Sequence, residues 1–261
     1  MIEFLLVNLA IAVAAMLLLW LVAVRIGDVS FIDAVWGLGM AALAAITWAR
    51  VEAPGERATL IAAMAAVWGV RLGWHLLARW RAGGEDSRYE RILRKDRAKG
   101  RFATAALTKV FGPQALFLFV TCLPAQLGVL ASGQAQAGPL ALAGAALWLV
   151  GMIFESRGDW QLARFRADPA NKGRVLDTGL WRYTRHPNYF GDACVWWGLW
   201  LIAAETSLGL WSVVGPITIT WLLTRMSGVP MLERGLKKSR PGYEDYVRRT
   251  SGFFPWPPKA Q

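Results

Sequence analysis

The sequence predicts an all-α, polytopic integral membrane protein with seven transmembrane helices. Three observations carry that expectation. The 261 residues are 55% hydrophobic and include 15 Trp. Apolar stretches of about 20 residues, the length a helix needs to cross a bilayer, recur along the chain. Nearly all of the 29 Lys and Arg residues lie between those stretches rather than within them.

The spans are expected at about 4–24, 31–49, 58–78, 107–131, 139–158, 188–204 and 208–226, with a tail over 227–261, all in one domain spanning 1–261. The first, Phe4 to Val24, has no basic leader and only Glu3 as an early charge, so it reads as a retained span and not a cleaved signal. Before the second comes Asp28-Val-Ser-Phe-Ile-Asp33-Ala-Val-Trp36-Gly37. Asp28 and Ser30 are expected to cap the helix. Asp33 lies deeper, where a carboxyl group needs a cation or a proton.

The third span places Arg71, His75 and Arg79 four residues apart, on one helical face. Arg79 is near enough to the end to snorkel to the surface. Arg71, two turns further in, is expected to be paired or functional. Gly83-Gly84 permits a turn, Glu85 and Asp86 offset neighbouring arginines, and the rest to Arg101 reads as a basic loop on anionic lipid. In the fourth span Lys109 is expected to snorkel, with Gly112-Pro113 just after it.

The polar tip Ser132 to Gly138 leads into the fifth span. Its end carries Glu155, Asp159 and Arg166 on one face, at spacings of four and seven. Glu205 to Ser207 separates spans six and seven. From Val229 the tail reads as an amphipathic helix broken at Pro241-Gly242. It ends in Phe253-Phe254-Pro255-Trp256-Pro257-Pro258, too proline-rich for a helix and suited to cover an interface.

Charge placement sets the orientation. With seven spans, Arg25, the cluster Arg79 to Arg101, the cluster Arg157 to Arg185 and the basic tail from Arg225 all fall on one side, the cytosolic one. The N-terminus is then outside and the C-terminus inside. The same placement assigns the net charge of +11 to topology, so no nucleic-acid partner is expected, and no obligate protein partner. Cys122 and Cys194 lie in apolar runs and make neither a disulfide framework nor a metal set. His75 and His186 are the only histidines, so no metal site is expected.

The sixth span opens on Gly179-Leu180-Trp181-Arg182-Tyr183-Thr184-Arg185-His186-Pro187-Asn188-Tyr189-Phe190-Gly191-Asp192. Pro187 suits a first helical turn, and Asp192 stands near its positive end. Arg182, Arg185 and His186 precede it, where an anion meets cations and free amides. A positive-inside anchor needs charge and rings, but not Asn188, Gly191 and Asp192. Arg71, Arg79, Asp159, Arg166, Arg174, Arg182, Arg185, Asn188 and Asp192 are expected at the cytosolic ends of spans three, five and six. Guanidinium groups facing one pocket suit a polyphosphate. Carboxylates and an amide beside them suit ribose hydroxyls and a carboxamide. That combination describes a nucleotide cofactor. There is no Gly-rich fingerprint after a strand, which excludes a dinucleotide-binding α/β domain.

The segment Gly179 to Trp197 resembles the signature of the membrane steroid 5α-reductase superfamily. That group also holds sterol reductases and isoprenylcysteine carboxyl methyltransferases, which share the Arg-His-Pro-x-Tyr core. Asp28 to Trp36, Arg71 to Arg79, Glu85 to Tyr89, Arg174 to Asp192 and Val229 to Phe254 are similar to its bacterial branch. The resemblance implies NADPH bound by Asp159, Leu162, Arg166, Arg174 and Asn188, with Arg71, Tyr183, Arg185, His186 and Asp192 completing the set. It implies Asn188 on the nicotinamide side and arginines on the phosphates. It also implies hydride transfer to the β-carbon of an α,β-unsaturated ketone, most simply a 3-oxo-4-ene steroid that enters from the lipid of a bacterial inner membrane. In animal members a glutamate on the second span and a tyrosine on the third polarise the carbonyl. Here Asp33 matches the former and Trp68 stands in the latter's place, with His75 and Glu155 as alternative proton donors. Two other readings remain: an S-adenosylmethionine-dependent membrane methyltransferase, and a non-catalytic lipid-binding protein. The arginine set favours the reductase, since S-adenosylmethionine carries no phosphate.

Overall fold

The computed structural model describes residues 1–226 and 228–259. In chain order the α-helices are α1 (Ile2–Ile26), α2 (Ile32–Ala49), α3 (Glu56–Gly83), α4 (Ser87–Ala98), α5 (Phe102–Ala106), α6 (Gly112–Thr121), α7 (Leu123–Ser132), α8 (Pro139–Ala167), α9 (Pro187–Ala203), α10 (Ser207–Leu210), α11 (Val214–Trp221), α12 (Val229–Ser239) and α13 (Tyr243–Arg249). The described residues contain no strand; Thr184 and Ser251 form an isolated parallel bridge. Six helical stretches are long and apolar enough to cross a membrane: Ile2–Ile26, Ile32–Ala49, Glu56–Gly83, Phe102–Ser132, Pro139–Ala167 and Ser207–Ser239. Helix α9, the sixth expected span, has 17 residues.

Several elements depart from the sequence expectation for identifiable reasons. Helix α3 runs to Gly83, and the expected loop beyond it is the helix α4. Between them Gly84 takes φ +68°, a left-handed turn that suits glycine, and the Asp86 side chain accepts from the Arg88 amide as the N-cap of α4. Helix α8 continues to Ala167, past the expected end at 158. The fourth span is broken by a π-turn at Leu107–Phe111 and again at Cys122, where Pro124 follows. The seventh is a series of short pieces ending in a π-turn at Leu222–Met226. The tail helix breaks at Pro241-Gly242 as expected, between α12 and α13. The tail's first and last positions, Ser227, Ala260 and Gln261, lie outside the described residues.

The chain divides into two compact units. The first comprises Met1–Leu142 and Leu199–Gly215. Its closest helix pair is α2 and α3: a Cβ added to Gly37 would stand 2.4 Å from the Gly69 carbonyl oxygen, and one on Gly69 would stand 2.2 Å from that of Gly37. Trp68, Met40 and Ile61 are buried in this unit. A polar staple ties its loops. Arg57 Nη1 donates to Glu205 Oε2 at 2.9 Å and Nε to Ser132 Oγ at 3.0 Å. The Glu205 carboxylate also accepts the amides of Gly138 and Ala141, each at 2.9 Å. Burial pushes the Glu205 carboxyl up, but those two amides and Arg57 outweigh it and hold it below the usual range.

The second unit comprises Ala143–Gly198 and the chain from Pro216. Here α8 crosses α9 at glycines. A Cβ on Gly151 would lie 2.6 Å from the Gly191 carbonyl oxygen, and one on Gly191 would lie 2.5 Å from that of Gly151. The tail folds back on the turn before α9. Thr184 Oγ1 donates to the Phe253 carbonyl at 2.8 Å, the Arg185 amide to that of Ser251 at 2.9 Å, and the Trp256 amide to that of Tyr183 at 2.9 Å.

Candidate active site

In the first unit the start of α2, the end of α3 and α4 converge on one carboxylate. The turn before α2 fixes its entry: the Ser30 amide donates to Asp28 Oδ1 at 2.7 Å. The other side-chain contacts of Asp28 and Ser30 reach outward. Asp28 Oδ2 accepts from Trp80 Nε1 at 2.8 Å, and Ser30 Oγ accepts the Asp86 amide at 2.8 Å. The expected helix-capping role is thus replaced by tethers to α3 and to the start of α4. Helix α2 begins with no side-chain cap, because Phe31 holds the N-cap position.

These tethers set α4 against Asp33. Tyr89 Oη donates to Asp33 Oδ1 at 2.6 Å. Oδ2 of the same carboxylate accepts from Arg88 Nη2 and, at 3.3 Å, from Arg79 Nη2. Arg79, expected to snorkel, instead faces Asp33 and Asp86. Asp86 holds Arg88 through Nε and Nη2, each at 2.9 Å. Gln114 Nε2 lies 3.4 Å from Tyr89 Oη, and its Oε1 accepts from Trp36 Nε1 at 2.5 Å. Burial, reinforced by the Asp33 charge, raises the Tyr89 hydroxyl well above the ordinary tyrosine range, so it stays a neutral donor. Burial also raises Asp86, yet its bonds and charge contact with Arg88, with help from Arg79, bring it below the usual carboxylate range.

Sequence reasoning missed Tyr89. Trp68, read as standing in the place of the family's tyrosine, is buried within α3. The signal lay in the sequence: Asp86 is an N-cap, and Tyr89 and Leu93 follow one turn apart on the buried face of α4. Lys109, expected to snorkel, pairs with Asp96 of α4 at 2.6 Å. Arg71 and His75 lie on α3, both partly buried.

The remaining expected residues lie in the second unit. Glu155 and Asp159 are buried on α8, and Asn188 Nδ2 donates to Asp159 Oδ1 at 3.1 Å. Gly158 permits this approach, since a Cβ there would meet the Asn188 amide at 3.1 Å. Leu162 is partly buried on α8, with Arg166 exposed one turn later. Arg174 is exposed, and its carbonyl accepts from Arg240 Nη1 at 2.6 Å. Asp192 is partly buried on α9. Tyr183 is 43% exposed.

Arg185 and His186 are engaged by the tail. Arg185 Nε donates to Glu233 Oε1 at 2.8 Å, and Nη1 donates to the carbonyls of Thr250 at 2.7 Å and Val247 at 3.2 Å. His186 Nε2 lies 3.1 Å from the same Glu233 oxygen, and its ring stacks on Tyr189. Burial holds His186 below the ordinary histidine range; Glu233 opposes that shift and Arg185 adds to it.

A family model described as "protein of unknown function (DUF1295)" matches residues 19–250. The chain belongs to this family. Among curated proteins, 91 residues are 34% identical to 3-oxo-5-alpha-steroid 4-dehydrogenase 1 of Rattus norvegicus, covering 33% of this chain and 32% of that protein. A match to the enzyme of the same name from Bos taurus is 32% identical over 77 residues, 30% of this chain and 27% of that one. An uncharacterized protein of Schizosaccharomyces pombe is 22% identical over 222 residues, 77% of this chain and 64% of that one. The matches therefore span between about a quarter and two thirds of these curated relatives. No solved structure matches the chain. The similarity to the steroid 5α-reductases first read from the Arg-His-Pro segment is borne out by these relatives.

Proposed function

We propose that this family member is a seven-span membrane oxidoreductase that reduces the C=C bond of a lipid-soluble enone with NADPH. Its N-terminus lies outside and its C-terminus in the bacterial cytosol. α9 is the span added to the six long apolar helices, and with it the basic clusters share one side. The simplest substrate is a 3-oxo-4-ene steroid, the class that the names of the rat and bovine relatives indicate.

The observation that carries the proposal is the Tyr89–Asp33 hydrogen bond. An enone carbonyl gains negative charge as its β-carbon accepts hydride, so a neutral donor at that oxygen lowers the barrier. Tyr89 carries one phenolic proton, kept by burial; without substrate it rests on Asp33, and it would turn to the enone oxygen as charge develops there. Asp33 fixes the phenol, and Arg88 with Arg79 fixes the Asp33 side chain by hydrogen bonds to Oδ2. His75 and Glu155 are the alternative proton donors.

The donor set of the second unit fits a phosphorylated dinucleotide. Asp159 and Asn188 present a carboxylate joined to an amide, suited to a carboxamide or a ribose hydroxyl. Arg166 and Arg174 are exposed residues, and guanidinium suits phosphate. Leu162, Asp192 and Tyr183 of the same unit complete the set, and Arg185 and His186 support the turn that carries Asn188; Arg71, on α3 of the first unit, is assigned to the cofactor from the family resemblance alone. Bound NADPH would supply the hydride; the chain's part is to hold it, exclude water and set the proton donor.

The test is NADPH oxidation by the purified, reconstituted protein against a panel of steroidal and non-steroidal enones. Turnover with an enone and none with a saturated ketone supports the reading. Methyl transfer from S-adenosylmethionine without NADPH oxidation would replace it with the methyltransferase, and inertness toward both with the lipid-binding protein.

A further inference from the structure

Helix α4 has two faces that do different things. On the inner face Tyr89 and Leu93 are buried, Arg88 pairs with Asp33 and Asp86, and Arg97 is taken by Glu85 at 2.5 Å and 2.9 Å. On the outer face Arg91, Arg94 and Lys95 are exposed, at spacings of three and four that keep them together. None of these three has an ion-pair partner among the described residues. Arg81 at the end of α3, and Lys99 and Arg101 just after α4, are also exposed. The acids on α4 itself are Glu90, also exposed, and Asp96, which Lys109 engages. Ile92 on this side is 36% exposed, so the face is amphipathic.

A cationic face with an exposed aliphatic side chain, directly after a membrane-length helix, is complementary to lipid phosphates at a bilayer surface. The tether that reaches from this helix into the apolar part of the unit ends on Asp33. We propose that the outer face of α4 docks on anionic phospholipid headgroups, and that lipid held there keeps α4 seated so that Tyr89 and Arg88 stay on Asp33. The catalytic half of this proposal rests on the reductase reading; the docking half does not.

The experiment uses the full chain in nanodiscs of purely zwitterionic lipid or of the same lipid with about one third phosphatidylglycerol, a content high enough to give a negative surface potential. Two readouts are taken: the thermal midpoint and enone-dependent NADPH oxidation. The wild type is expected to melt several degrees higher and turn over several-fold faster in the anionic discs, with both gains falling as salt is raised. The triple variant Arg91→Gln/Arg94→Gln/Lys95→Gln should lose both gains, since each removed cation weakens attraction to the surface about fivefold. The charge-keeping variant Arg91→Lys/Arg94→Lys/Lys95→Arg should retain them, which separates lost charge from lost folding.

An equal response of wild type and triple variant to phosphatidylglycerol would overturn the proposal. So would equal gains in zwitterionic discs on adding inorganic phosphate or a soluble polyanion, which would assign the face to a free ligand. A thermal gain without turnover in any disc would keep the docking surface and remove the reductase reading.

Discussion

Tyr89 and Asp33, 56 positions apart in the chain, share a 2.6 Å hydrogen bond in which the phenol donates and the carboxylate accepts. The pair depends on the length of α3 and the turn at Gly84, which bring α4 back to the start of α2. Tyr89→Phe removes the donor and leaves the ring. Turnover is expected to fall about 100-fold, the usual scale for losing a positioned acid, with NADPH affinity within about twofold of wild type. Asp33→Asn should likewise lower turnover more than cofactor affinity. Steady-state kinetics and equilibrium NADPH titration check both variants, and a change confined to affinity would move the proton donor elsewhere.

Asn188→Ala and Arg166→Ala are each expected to abolish NADPH oxidation without unfolding the bundle, the helical circular dichroism staying near wild type. Near-normal turnover in either would contradict the placement of the nucleotide in the second unit.

The Arg57–Glu205 staple bears on stability alone. Both side chains are about one tenth exposed, so removing one strands the other. Glu205→Gln should lower the thermal midpoint by about 5 °C at neutral pH. Because the folded carboxyl lies below its unfolded value, the wild type holds this contribution above the ordinary glutamate range and loses it as pH falls through the folded value. The gap between wild type and Glu205→Gln should therefore close in acid. A pH-independent gap would mean that the ion pair is not its source.

His186 gives a second pH signature. Its folded value is depressed, so protonation favours the unfolded chain, and stability declines as pH falls below about 6.5, the unfolded value. The thermal midpoint should drop as pH falls below about 6.5 in the wild type and stay flatter in His186→Asn. An equal drop in both would assign the effect to other groups.

Much of this architecture is legible in the sequence because hydropathy and charge act over long segments. Six of the seven apolar runs lie in helical stretches long and apolar enough to cross a membrane, and the Asp159–Asn188 contact joins residues singled out by spacing and motif. What was not legible came from long-range pairing. Nothing local to Arg79 or Lys109 distinguishes a snorkelling cation from one paired with an acid on α4. Asp28 and Ser30 carry the residue types of a cap, and only the fold reveals Trp80 and the Asp86 amide as their partners. Tyr89 sat in a charged stretch read as a loop, where the N-cap at Asp86 was outweighed by the charges around it. Arg185 and His186 look like anion ligands until the tail returns to engage them through Glu233.

Beside the Tyr89–Asp33 pair, the reductase proposal needs a phosphate-bearing cofactor on Arg166 and Arg174. The most direct test is the thermal midpoint of the solubilised protein with NADPH, NADH or S-adenosylmethionine at about 100 times a micromolar Kd, where a true ligand adds about 2.7 kcal/mol. The expected result is a clear rise with NADPH that Arg166→Ala abolishes. A rise with S-adenosylmethionine and none with NADPH would contradict it.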